Sequence, residues 1–166
     1  MEAILSRHSV RNFKPGEISK EILENLAHAG MSAPSAMHSA PWHFVIVTER
    51  EKLDGVAKIH PYANMSLQAS AGILVCGEPG KEMLKEFFDQ NCAAAAENIL
   101  IAVSDSGLGA VWVGLYPNKS HIDNFRNYFQ LPVHIVPFAW IPIGYPQFPS
   151  KPDNRLDSSK IHYNVW

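Results

Sequence analysis

Hydrophobic positions along the chain fall into clusters of two kinds, and their spacing separates helices from strands. Ile22, Leu23, Leu26 and Ala29 recur at helical intervals behind Ser19, which predicts a helix capped by that serine and ended by Pro34. Further helices are expected over Glu2 to Ser6, over Lys52 to Ile59, and over Ile122 to Phe129 with Ser120 as cap. The run from Asp89 to Ser106 is apolar on almost every side, the mark of a helix buried nearly all round. Phe44 to Val47 and Gly72 to Cys76 are instead brief apolar runs bounded by turn residues, as in strands covered on both faces. Ala110 to Leu115 predicts a third strand and Pro137 to Ile143 a last one. That last strand is expected at a sheet edge or irregular at its ends, because Pro137 and Pro142 have no N–H to give to a ladder.

Helices and strands are mixed without strict βαβ repetition, so the order predicts an α+β fold, a sheet core with helices packed on it. No repeat, low-complexity tract or charge run divides the chain, and residues 1–166 read as one domain. Residues 151–166 form a C-terminal arm in this reading. They are too rich in Pro, Asp, Asn and Ser to make core alone, yet Ile161, Tyr163, Val165 and Trp166 alternate like an extended segment that needs a surface.

Composition narrows the function classes. With 46% hydrophobic and 18% charged residues the 166-residue chain has the balance of a compact globular protein, and a chain of this size buries about 70% of its unfolded surface. Fourteen basic against sixteen acidic side chains leave a net charge of -2, which offers no general attraction for nucleic acid or for an anionic membrane. No apolar stretch approaches the roughly 18 residues of a membrane span, and the N-terminus lacks the pattern of a secretory signal. Cys76 and Cys92 do not suggest a disulfide framework, so a reducing, cytoplasmic setting is expected. No pair of the eight histidines has helical i, i+4 spacing with a nearby carboxylate, so no metal site is expected.

Two segments imitate familiar motifs. Gly30-Met31-Ser32-Ala33-Pro34 has the serine of a hydrolase elbow, but proline replaces the last glycine and the segment leaves a helix rather than a strand. Gly107-Leu108-Gly109 follows a helix and precedes a strand, the reverse of a dinucleotide fingerprint, and reads better as a helix C-cap and turn.

Four other segments carry chemistry. Arg7-His8-Ser9-Val10-Arg11 sets two forked guanidiniums around a hydroxyl, donors suited to a phosphate. Ala33 to Trp42 is a stretch of small and polar residues that lets backbone approach a flat ligand. Gly107 to Tyr116 and Gly144-Tyr145-Pro146, the latter followed by Lys151 to Arg155, complete the set. In this order, and over nearly the whole chain, R-x-S-x-R, A-P-S-A-M-x-x-x-P-W, G-L-G-x-V-W-V-G and R-L-D-x-S-K-I-H-Y-N-x-W resemble the nitroreductase-like family of FMN-dependent oxidoreductases, in a short-chain form.

The resemblance implies a mixed, largely antiparallel central sheet flanked by helices, in a domain-entwined homodimer with FMN at the interface. Arg7, His8, Ser9, Arg11 and Arg155 would hold the phosphate and ribityl chain. Pro34, Ser35, Ala36, Met37 and His38 would come from the partner subunit and lie along the ring. Val113 and Gly114 would pass its edge, and Gly144 would give backbone room near the phosphate. NADH or NADPH would reduce the flavin and a small oxidised substrate, a nitroaromatic or a quinone, would reoxidise it by ping-pong turnover. The chemistry would sit at flavin N5, with no catalytic side chain. Specialised flavin reactions on the same fold (dehalogenation, enoate-type reduction, flavin breakdown) and a non-catalytic FMN store are the alternatives. The family often has Asn and Gln where this chain has His38 and Ala40, which bears on substrate more than on cofactor.

Overall fold

A computed structural model describes residues 1–148 and 154–166. Five helices and six strands follow one another as α1 (Glu2–Ser6), β1 (Phe13–Lys14), α2 (Lys20–Met31), β2 (Trp42–Val47), α3 (Arg50–Ile59), β3 (Ala71–Gly77), α4 (Phe88–Asp105), β4 (Gly109–Ala110), β5 (Val113–Gly114), α5 (Lys119–Phe129) and β6 (Val136–Pro146) among the described residues. The strands form one sheet in the order β1-β6-β3-β2, with β4 and β5 also paired to β6, and every strand pair is antiparallel. A lone parallel bridge joins Ser9 to Ala110. The α+β class is as the pattern predicts.

β3 explains the layering. All seven of its residues are buried, and side chains alternate between faces with the strand's two-residue period. Ile73 and Val75 meet Leu23, Leu26, Ile99 and Val103 from α2 and α4 on one face. Leu74 and Cys76 meet Leu53, Val56, Phe125 and Trp140 on the other, under α3 and α5. From Asn91 to Ser104 no residue of α4 is fully exposed, as its apolar sequence predicts. The cover comes from α1, α2 and the sheet of the same chain.

Several expectations need correction. Of the two alternatives for the last strand, the edge position is wrong and the irregular end is right: β6 runs eleven residues, pairs along both sides and shifts register near its start. Its prolines fall where no ladder bond is required. The Ile143 carbonyl accepts from Ser70 N on the β3 side, so the Pro142 nitrogen one residue away faces the opposite edge. That edge is empty there, because Ala110 pairs with Ile143 and Val113 with Trp140, leaving a gap between β4 and β5. Pro137 stands at the register shift opposite Cys76. The same gap breaks the expected strand over Ala110 to Leu115 into two. β2 is an edge strand, so Phe44, Val45 and Ile46 are only half-buried. Asn118, not Ser120, caps α5: its Oδ1 accepts from His121 N, and Ser120 Oγ donates to it as well.

Trp140 is the largest fully buried side chain, and its indole N–H donates to Ser66 Oγ at 3.0 Å. It lies against Gly72, where a Cβ would overlap the indole ring. Gly72→Ala is therefore expected to destabilise the fold by about 1–3 kcal/mol through overpacking. Urea unfolding measures this, and an unchanged midpoint would contradict the packing described.

Candidate active site

The N-terminal basic segment is fixed by the sheet. Val10 is buried and its N–H donates to the Ala110 carbonyl at 2.8 Å, beside the Ser9 bridge. Arg7 Nε pairs with Glu97 of α4 at 3.2 Å, and Arg155 Nη2 donates to the Arg7 carbonyl at 2.8 Å. The Arg155 guanidinium is thereby held at the backbone of Arg7, 148 residues away in sequence, and the Nη groups of Arg7 have no partner among the described residues. Ser9 and Arg11 are exposed, and Arg11 has no ion-pair partner among the described residues. Lys151, named with Arg155 in the fourth segment, lies outside the described residues.

Two clefts and a small crevice border this segment. One cleft, of about 530 Å³, is lined by Arg11, Trp112, Val113, Gly114, Tyr62 and His121 among others. Val113 turns its side chain into the core, so its backbone is what a ligand would meet, whereas Gly114 is exposed, with Trp112 Nε1 at 4.0 Å as the one neighbour of its Cβ position. The second cleft, of about 500 Å³, takes in His8, Ser6, Gly107 and Phe148. Arg7, His8 and Val10 line the crevice against Leu100 and Ser104 of α4. Gly144 is buried in β6, and the space its missing Cβ leaves is taken by the Phe13 ring at 2.9 Å.

Buried in the first cleft's wall is His60, 2% exposed. Tyr62 N donates to its Nδ1 at 3.2 Å, and its Nε2 lies 3.2 Å from Nδ1 of His121. Burial and then His121 hold His60 below the usual imidazole value, opposed by the Gly114 backbone. It is neutral at pH 7.

The segment holding Pro34, Ser35, Ala36, Met37 and His38 lies elsewhere, at the N-terminal end of α4. Ala36 N donates to Asn91 Oδ1 at 3.0 Å, and Asn91 Nδ2 donates to Ser39 Oγ and to Glu82 Oε1. Ala40 N donates to Ser35 Oγ. Met37, His38 and Ala40 all have positive φ, at 52°, 56° and 41°. For non-glycine residues such backbone costs about 1–3 kcal/mol each and persists only where surrounding bonds impose it. Asn91 is about 9 Å along the helix axis from Glu97, by the rise of six helical residues, and the clefts and crevice described contain none of residues 34–38. One chain therefore carries the basic cluster and this loop as separate surfaces.

Both cysteines are buried and unpaired, and burial pushes each thiol up to about 12. Such thiols stay protonated near neutral pH and are poor nucleophiles. No helix among the described residues is long and apolar enough to cross a membrane.

The sequence profile of the Nitroreductase family matches residues 4–76 and 78–145. The chain belongs to that family. It is 37% identical over 166 residues to a Methanothermobacter thermautotrophicus protein named as a candidate NADH dehydrogenase/NAD(P)H nitroreductase, covering all of this chain and 87% of that one. It is 25% identical over 190 residues to the FMN reductase (NADPH) of Bacillus subtilis, covering 99% and 74%. Among solved structures, a candidate NADH dehydrogenase/NAD(P)H nitroreductase of Parabacteroides distasonis superposes with a TM-score of 0.93 at 41% identity, over 99% of this chain and 97% of that one. A candidate nitroreductase of Desulfovibrio desulfuricans, solved in complex with FMN, shares the fold with a TM-score of 0.83 at 24% identity, over 99% and 96%. The nitroreductase fold expected from the motifs is thus shown.

Reading the sequence alone missed Glu97, Asn91, Glu82, His60 and His121. All but Glu82, whose partner Asn91 is nine residues on, act through a partner far away in the chain, and no local spacing marks them. Asn91→Ala is expected to leave Ala36 N and Glu82 without their buried partner, at about 1–3 kcal/mol per unsatisfied group. Denaturation should report that loss together with faster amide exchange in residues 34–40; normal stability and exchange would show that the network does not hold the loop.

Proposed function

We propose that this protein is an FMN-dependent oxidoreductase that takes reducing equivalents from NADH or NADPH and passes them to a small oxidised acceptor such as a nitroaromatic or quinone. The observation that carries the reading is that Arg155 Nη2 reaches the Arg7 carbonyl while Arg11, four residues on, lines a cleft that ends on the exposed Gly114 backbone. A phosphate requires several forked, charged donors, and these guanidiniums have donors to spare; a planar ring system requires a slot without intruding side chains. The residues present therefore fit FMN. When bound, the flavin supplies the hydride chemistry at its N5. The chain's own part is to hold and orient: Arg7, His8, Ser9, Arg11 and Arg155 at the phosphate and ribityl chain, and the backbone of Val113 and Gly114 along the ring edge. Gly144 supports them indirectly, by admitting Phe13 to the strand beneath.

The working unit in this proposal is a homodimer. Leu156, Tyr163, Val165 and Trp166 are 73%, 83%, 78% and 99% exposed, and burying a side chain of this kind is worth about 1.5–3 kcal/mol. A second copy that received this arm would bring its own Pro34, Ser35, Ala36, Met37 and His38 to the flavin, which accounts for a strained loop held away from its own chain's arginines. Removing residues 156–166, which keeps Arg155, should shift the protein toward monomer in light scattering and release flavin together; a truncated dimer with full FMN content would overturn the arm's role.

Purified protein should carry one FMN per subunit, bleached by a nicotinamide and recoloured by an acceptor. Flavin that stays oxidised with both nicotinamides would favour the storage module. Arg11→Ala or Arg155→Ala should weaken FMN binding by roughly tenfold to a hundredfold, from about 1.5–3 kcal/mol per charged hydrogen bond. Fluorescence titration checks this, and unchanged affinity in both variants would overturn the phosphate site.

A further inference from the structure

The cleft wall holds a pair of imidazoles whose hydrogen bonds run in one direction. Tyr62 N–H donates to His60 Nδ1, so neutral His60 carries its hydrogen on Nε2. That hydrogen lies between the Gly114 backbone and Nδ1 of His121, 3.2 Å away; where it bonds His121, that ring is the acceptor and carries its own hydrogen on Nε2. His121 Nε2 has no partner among the described residues, and the ring is half-buried in the first turn of α5, on the cleft that Arg11 and Gly114 line. The other titratable groups facing it are few. Tyr62 and Tyr116 line the same cleft, Lys119 and Asp123 neighbour His121 on α5, and Asp123 is paired with Arg126 at 3.1 Å. On α3, Lys58 is in the last turn. Among the described residues no carboxylate lines the cleft.

We propose that the His60–His121 pair is the proton carrier of the reaction, taking up a proton when the bound flavin is reduced and giving it to the acceptor when the flavin is reoxidised. This rests on the FMN reading above. A hydride from the nicotinamide would carry two electrons and one hydrogen to a bound FMN and add one negative charge there. The acceptor leaves with two electrons and two hydrogens. One of these arrives as the hydride; the other is the proton, drawn from solvent onto the pair in the first half-reaction and released to the acceptor in the second. The pair ends as it began, and no further reductant is needed.

The geometry gives this proton a destination. Protonating His121 at Nδ1 turns an acceptor into a donor that faces the donor of His60. The link then breaks, and the charged ring turns toward the cleft. With no carboxylate there, the reduced ligand is the anion that stabilises it, so uptake and reduction favour one another. Buried His60, tied to Tyr62, is the positioning residue that keeps the oxidised state neutral.

The test is the midpoint potential of the FMN-loaded protein measured from about pH 5.5 to about pH 8.5, a range that spans ordinary imidazole titration. The parent should show a pH slope of two protons per electron pair over part of that range. His121→Gln, which keeps a polar partner for His60, should show one proton throughout, a slope half as steep. In the parent, NMR of labelled imidazoles should show the pair binding its proton roughly tenfold more tightly or better in the reduced holoprotein, as expected for an opposite charge within a few ångströms. Coincident slopes in parent and variant, or titration unchanged by reduction, would overturn the carrier while leaving FMN binding intact. A protein that holds no FMN at all would remove the functional reading and the carrier with it.

Discussion

The ladder that β6 makes on both its edges is the constraint on which the rest of the structure depends. Buried backbone groups must be paired, and β6 has eleven residues, eight of them buried, with three prolines, Pro137, Pro142 and Pro146, that offer no N–H. β3 takes one edge without interruption apart from the register shift near Pro137. The other edge is shared among three two-residue strands, and the interval between β4 and β5 falls where Pro142 has nothing to donate. The gap frees Trp112 from pairing and turns Val113 and Gly114 toward the cleft. A local deficit in hydrogen bonding thus determines where backbone becomes available to a ligand.

The same strand positions the basic cluster. β4 pairs with β6 at Gly144, and Val10 and Ser9 attach to Ala110 of β4, so Arg7 and Arg11 inherit their place from the sheet through one short strand. β1 pairs with the end of β6, and its Phe13 fills the space above Gly144. α4 supplies the remaining anchors: Glu97 for Arg7 and Asn91 for the loop after α2. Sheet and helix together fix two separate surfaces whose distance is set by backbone geometry.

Much of this was legible in the residue pattern. The helix behind Ser19 and the buried runs at Ile73 and Ile99 announce themselves because apolar period reports burial directly. The role of β6 was not legible, since a proline shows a missing donor without showing which edge it faces; that depends on register with Gly72 and Ala110. Ser120 and Asn118 both suit a helix cap, and only the backbone path selects Asn118. The arginines could be read as phosphate donors from their chemistry, but the Glu97 partner and the His60–His121 pair come from segments that meet only after folding. Gly144 reads as a glycine needed for a ligand, when the neighbour that needs the room is Phe13.

The indoles have an optical consequence. Trp140 is wholly enclosed and hydrogen-bonded, whereas Trp166 is 99% exposed and stacks on His162 with ring centroids 4.4 Å apart. Of the four tryptophans, Trp42 and Trp112 are sheltered to different degrees, while Trp140 and Trp166 mark the extremes, a blue-shifted interior fluorophore and a water-relaxed one. An imidazole in van der Waals contact is a quencher of the second when it carries charge. The terminal residue thus serves as a native reporter of the arm, its colour and yield recording whether that end of the chain meets water or another surface.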